Sequence, residues 1–95
     1  MRLKPHQRQA IIVAAQLVFG NDVKVWLFGS RLDDAKRGGD IDLLISTEAN
    51  DELIQLAKFK RQLYQTLGEQ KIDGQILQQP PTAFQQLVLE NAVCL

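Results

Sequence analysis

In this 95-residue chain the segment from Gly29 to Asp42 reads GSRLDDAKRGGDID. It places a Gly-Ser turn ahead of two aspartates, Asp40 and Asp42, which stand at the start of an apolar run. Side chains two residues apart in a β-strand leave the same face with about 6.5–7 Å between them. We therefore expect the two carboxylates to converge on one magnesium-sized target while Ile41 points into a core.

The segments on either side of this stretch predict a small sheet domain. In chain order we expect a helix from Pro5 to about Gly20, a strand over 23–28, a short helical turn from Ser30 followed by a loop, a strand over 40–46, a helix ending at Gly68, a strand over 71–77 and a short helix after Pro80-Pro81. The order helix, strand, strand, helix, strand, helix fits an α/β or α+β sheet domain that occupies the whole chain, residues 1–95.

Apolar spacing and capping residues refine these elements. Thr47 or Asn50 is expected to cap the second long helix, and Thr82 the last one. The second helix should turn one apolar face to the core, formed by Leu53, Leu56, Phe59, Leu63 and Leu67. Strand 71–77 carries a third aspartate, Asp73, on the face opposite Ile72 and Ile76. The end of the chain, 92–95, is open between strand, frayed tail and interface.

Composition narrows the classes of protein to consider. Eleven basic residues balance eleven acidic ones, so no overall positive field is present to hold nucleic acid, although Lys36 and Arg37 leave room for a local basic patch. Cys94 is the only cysteine, which excludes an internal disulfide and a cysteine-based metal site. No apolar run approaches the length of a membrane span, and the first residues are not signal-like. We expect a cytoplasmic protein.

The three aspartates have the chemistry of a phosphoryl-transfer site. Such reactions depend on metal ions that neutralise phosphate charge and align the attacking and leaving oxygens, and carboxylates are the ligands that Mg²⁺ prefers. Gly29 lets backbone approach a phosphate closely, and Ser30 supplies a hydroxyl at the start of a helical turn. Arg31 can add a charge-assisted contact to phosphate. The residues thus predict a triphosphate cradle beside a metal site.

Together these residues resemble a known signature. Gly29-Ser30, nine intervening residues, Asp40-Ile41-Asp42 and the later strand aspartate Asp73 are similar to the pattern of the DNA polymerase beta-like nucleotidyltransferase superfamily. The closest match is its smallest branch, the minimal nucleotidyltransferases (MNT). The resemblance implies a small mixed β-sheet flanked by helices and covers nearly the whole chain.

The same resemblance implies roles for these residues. By this resemblance Gly29 and Ser30 hold the nucleoside triphosphate, for which we expect ATP, and Asp40 and Asp42 bind two Mg²⁺ ions. Asp73 completes the metal site and helps to deprotonate the acceptor.

A partner also follows from the resemblance. Minimal members of this family are commonly found with a small helical HEPN protein, as the antitoxin half of a toxin-antitoxin pair. The implied reaction transfers AMP from ATP to a tyrosine of the HEPN ribonuclease and silences it. A chain of 95 residues has no room for a second, acceptor-binding domain, so a partner protein that presents the acceptor agrees with its size.

Other interpretations of the residues stay open. Gly-Gly-Asp also occurs in plain hairpin turns whose acids solvate an edge strand, and Arg31, Lys36 and Arg37 are also typical of solvated loop charges. A non-catalytic antitoxin-like module that blocks its partner sterically is an alternative function, because Gly74 and Gln75 interrupt the apolar pattern beside Asp73. A nucleotidyltransferase subunit for RNA or a small molecule is disfavoured by the balanced charge.

Overall fold

The computed structural model of the chain describes residues 2–33, 39–48, 50–68 and 70–95. The predicted basic patch at Lys36 and Arg37, and the loop that contains it, lie outside the described residues. Within them the elements are helices α1 (Pro5–Phe19), α2 (Glu52–Leu67) and α3 (Ala83–Leu89), strands β1 (Lys24–Phe28), β2 (Ile41–Ser46), β3 (Ile72–Ile76) and β4 (Val93–Cys94), and a 3-10 turn over Gly29–Leu32. We call this last element the Gly-Ser turn.

The four strands form one mixed sheet in the order β3-β2-β1-β4. β1 runs antiparallel to both β2 and β4, and β2 runs parallel to β3. The predicted small mixed α+β fold is therefore confirmed. The end of the chain, which the sequence left open, forms an edge strand, because Trp26 and Leu27 pair with Cys94 and Val93.

One face of the sheet packs against α1 and α2 and holds the main core. Buried side chains there come from β1, β2 and β3 and from both helices: Val25, Leu27, Ile41, Leu43, Ile45 and Ile72 from the sheet, with Ile11, Ala15, Phe59 and Leu63 from the helices. The Phe19 and Phe59 rings join the two helices, with ring centroids 5.6 Å apart. Ile41 is 1% exposed, so the residue between the two aspartates points into the core as predicted.

The second face of the sheet carries α3 and the acidic residues. Strand alternation places Phe28, Asp42 and Asp73 in one row across this face, since Phe28 pairs with Asp42 and Asp42 with Asp73. The Phe28 ring meets the Phe84 ring of α3 edge-on, with centroids 6.3 Å apart. The aspartates thus occupy the end of a face that α3 covers in part.

Two details of the helices differ from the sequence prediction, and one agrees. Neither Thr47 nor Asn50 caps α2; its N-cap is Asp51, which has a left-handed conformation (φ 58°, ψ 51°) and makes no side-chain cap hydrogen bond. Leu53 is 85% exposed, so its place in the core face was wrong. The first side chain of α2 that packs against the core is Leu56, one turn after Leu53. The Thr82 cap of α3 is confirmed: its side chain accepts from the backbone N–H of Gln85.

Among the described residues, none of the helices is both long and apolar enough to cross a bilayer.

Candidate active site

The structure brings the three predicted carboxylates together at one end of the sheet. Asp42 is the second residue of β2, Asp73 is its registered neighbour on β3, and Asp40 stands immediately before β2. One carboxylate oxygen from each lies within 4.8 Å of the others. Asp40 and Asp42 are half-buried, whereas Asp73 is exposed. We call these three residues the acidic triad.

The acidic triad is electrostatically unfavourable when no cation is bound. Burial raises the pKa of Asp42, and the negative charges of Asp73 and then Asp40 raise it further. Lys71 acts in the opposite sense, and its Nζ lies 3.4 Å from Oδ2 of Asp40. Both partners of this ion pair are solvent-accessible, so the pair compensates little of the repulsion. A bound divalent cation would favour the charged form of Asp42.

The donor set of the acidic triad fits a hard divalent metal ion. Mg²⁺ takes oxygen ligands at about 2.1 Å, so opposite ligands of one ion stand about 4.2 Å apart. The 4.8 Å limit on the triad oxygens is close to this span. We find that the three carboxylates suit Mg²⁺ better than a transition metal that prefers nitrogen or sulfur ligands.

Gly29 makes room for a carboxylate of the acidic triad. Its φ is +80°, and a Cβ added there would collide with Oδ2 of Asp42 and lie 3.2 Å from its Cγ. The sequence predicts that Gly29 admits a phosphate to the backbone; in the structure the group it admits is the side chain of Asp42. Its role in nucleotide binding stays a prediction.

Ser30 lies in the Gly-Ser turn, one side of which faces Gly39. The predicted helical turn from Ser30 is confirmed, and it is a single 3-10 turn. A Cβ added at Gly39, whose φ is +94°, would collide with Oγ of Ser30 and lie 3.3 Å from its Cβ. Because Gly39 precedes Asp40, the Ser30 hydroxyl lies beside the start of the acidic triad. Its contact with phosphate stays a prediction.

The Arg31 side chain is held by the segment that precedes α1. Its Nη1 donates to the carbonyl oxygen of Arg2 at 3.0 Å, and it lines a groove with Arg2, Leu3, Lys4 and Gln7. Its Nε is buried and has no hydrogen-bond partner among the described residues. The guanidinium is thus anchored on the chain itself, and a phosphate contact of Arg31 stays a prediction.

Sequence reasoning missed Arg2 as a neighbour of this site. Arg2 donates to the carbonyl oxygen of Ser30 in the Gly-Ser turn and to that of Asp33 just after it, 28 and 31 positions away along the chain. No local pattern signals such a contact, because it depends on how the segment before α1 crosses the end of the sheet.

Comparison with known proteins agrees with the geometry. The family model described as Polymerase beta, Nucleotidyltransferase matches residues 11–95, which include the acidic triad and the Gly-Ser turn. No curated protein matches the chain.

Proposed function

The chain belongs to the Polymerase beta, Nucleotidyltransferase family, and from this premise we propose that it transfers AMP from ATP to a partner protein in the presence of Mg²⁺. The partner we propose is a small helical HEPN protein, with the chain as the antitoxin of a toxin-antitoxin pair. The observation that carries the catalytic part is the acidic triad, whose oxygens lie within 4.8 Å of one another beside the Gly-Ser turn.

The proposed reaction is one displacement at phosphorus. The hydroxyl oxygen of the acceptor forms a bond to the α-phosphorus of ATP, the bond from that phosphorus to the bridging oxygen breaks, and pyrophosphate leaves with the bonding electrons. Two Mg²⁺ ions held by Asp40, Asp42 and Asp73 would neutralise phosphate charge and align the two oxygens.

The residues of the chain divide the remaining work. Asp40 and Asp42 would orient the phosphates through the metal site, and the Gly-Ser turn, which follows β1, would hold the triphosphate. Asp73 is the exposed member of the triad. We therefore assign Asp73 to the part of the site that faces the acceptor, where its carboxylate would take up the proton of the acceptor hydroxyl directly or through water.

The test is transfer of label from ATP to the protein encoded by the neighbouring gene. The chain, α-³²P-ATP, Mg²⁺ and the neighbour should yield a labelled neighbour, and the Asp40→Ala/Asp42→Ala double variant should yield none. Glu90→Ala is a matched control, since it removes an exposed acid just after the last helix. Labelling that persists in the double variant would overturn the assignment of the acidic triad.

A non-catalytic role is the second candidate, and exposed apolar side chains favour it. Phe84 and Leu87 on α3 are 54% and 65% exposed, and Leu17 on α1 is 69% exposed. Apolar groups of this kind are available to a partner surface. If the Asp40→Ala/Asp42→Ala variant neutralises the partner as well as the wild type does, steric binding is the function.

A further inference from the structure

Arg2 ties the segment before α1 to the Gly-Ser turn by four hydrogen bonds. Its Nη2 donates to the carbonyl oxygen of Ser30 and its Nε to that of Asp33, both at 2.9 Å. Its backbone N–H donates to the carbonyl oxygen of Arg31 at 2.7 Å, and Nη1 of Arg31 donates back to the carbonyl oxygen of Arg2 at 3.0 Å. The turn is therefore held at its second and third residues and just past its end.

The Gly-Ser turn needs such external support. A 3-10 turn of four residues has poor internal hydrogen bonding, and here the N–H of Asp33 closes it on the carbonyl oxygen of Ser30 at 3.1 Å. That same oxygen accepts from Arg2. A guanidinium is a rigid planar fork, so two carbonyl oxygens bound to one guanidinium are fixed relative to each other.

The guanidinium group of Arg2 also lies beside the start of the acidic triad. Nη2 of Arg2 is 3.7 Å from the position that a Cβ would take at Gly39, and Ser30 touches the same position. Arg2, Ser30 and Gly39 thus meet one residue before Asp40. Movement of the Arg2 side chain would remove one of the two hydrogen bonds that the carbonyl oxygen of Ser30 accepts.

We propose that Arg2 is a positioning residue of the nucleotide site, which holds the Gly-Ser turn in the conformation that receives the phosphates of ATP. This inference rests on the proposed function. The family model begins at residue 11, so Arg2 lies outside the matched segment. Arg2 acts through the carbonyl groups of Ser30 and Asp33 and need not touch the nucleotide.

The experiment compares Arg2→Ala and Arg2→Lys with the wild type and with Arg8→Ala. Arg8 is a matched control, because its Nη2 also donates to a main-chain oxygen, that of Leu95, which directly follows the edge strand β4. For Arg2→Ala we expect about tenfold weaker Mg²⁺-ATP binding by calorimetry, the size of effect typical of losing a charged hydrogen bond. In the transfer assay the KM for ATP should rise while kcat changes less.

Two further readouts separate positioning from a general loss of stability. Amide exchange at Asp33 should quicken in Arg2→Ala, while exchange at Leu43 in the core should not change. Millimolar guanidinium should restore ATP affinity to Arg2→Ala, and methylammonium should not, because only the planar cation bridges two carbonyl oxygens. Arg2→Lys keeps the charge but offers a single nitrogen, so we expect about threefold weaker binding.

The outcomes separate this inference from the proposed function. If the wild type binds no Mg²⁺-ATP, both fall. If the wild type labels its partner but Arg2→Ala has an unchanged KM for ATP, or one that matches Arg8→Ala, only the positioning role falls. Should Arg2→Ala fail to fold, Arg2→Lys decides: affinity equal to the wild type overturns the role of the fork.

Discussion

Gly29→Ala would disturb the acidic triad without removing a carboxylate. The φ of +80° costs a non-glycine residue about 1–2 kcal/mol. The added Cβ would also collide with Oδ2 of Asp42, so the Asp42 side chain has to turn out of its place. A side chain forced off its rotamer costs about 0.5–1.5 kcal/mol. Together we expect a loss of about 2–3 kcal/mol in the free energy of unfolding and a fall in Tm of about 10–20 °C.

The displaced carboxylate should also weaken metal binding, because one of three ligands no longer faces the site. Loss of a residue that supports a metal ligand typically reduces affinity about 10- to 100-fold, which calorimetric titration with Mg²⁺ and Mn²⁺ measures directly. Gly68→Ala is the matched control, since Gly68 has φ +78° but an added Cβ would have nothing within 4 Å. It should lose stability and keep its metal affinity. Equal metal affinity in the two variants would refute the reasoning.

Three other substitutions test the triad and the core, each by urea unfolding. Asp42→Asn without divalent metal should raise the free energy of unfolding at pH 7, because burial and then the charges of Asp73 and Asp40 raise the pKa of Asp42 and disfavour its charged form. The gain should shrink as the pH falls through that raised pKa, where the wild type binds the proton in its folded state; a gain that grows on acidification would contradict it. Gln85→Ala should lower the free energy of unfolding by about 2–3 kcal/mol, because the buried amide of Gln85 accepts from the N–H of Gln78 and donates to the carbonyl oxygen of Ile76. Its control is Gln86→Ala at an exposed position, which should lower the free energy of unfolding by less than about 0.5 kcal/mol. Phe59→Ala should lower the free energy of unfolding by about 3–5 kcal/mol, because the ring is fully buried. Leu53→Ala should leave the free energy of unfolding nearly unchanged, because Leu53 is 85% exposed.

Most of the fold followed from local chemistry in the sequence. Pro5 and Gly20 bound α1 as expected, and the Thr82 side chain accepts from the Gln85 N–H as a helix cap does. These signals work because proline, glycine and threonine act on the backbone within a few residues. The prediction that Leu53 belongs to the core failed because it depends on packing beyond the local sequence. Helical spacing assigns a residue to a face of the helix but does not tell where along α2 the contact with the core begins.

The sequence also predicted that the three carboxylates of the acidic triad form one site, but it did not predict the contacts around them. Strand alternation predicted that Asp40 and Asp42 lie on the same face, opposite Ile41. In the later strand the same alternation predicted that Asp73 lies opposite Ile72 and Ile76. That Asp42 and Asp73 are registered neighbours required the strand order, which no local pattern encodes. The contact of Gly29 with Asp42 and the fork of Arg2 depend in the same way on distances set only after folding.

The strand that carries Asp73 departs from an apolar pattern at Gly74 and Gln75, yet it still places its carboxylate. A Cβ at Gly74 would meet Cδ1 of Leu56 at 2.9 Å, so the glycine gives α2 a close approach to β3. Ile72 and Ile76 anchor the strand, being 1% and 8% exposed and paired in register with Ile41 and Ile45. A slip by one residue would turn both isoleucines to the other face and Asp73 into the core, where an unpaired charge is strongly unfavourable. Two apolar anchors therefore suffice to hold the third carboxylate opposite Asp42, and the glycine between them does not argue against a working site.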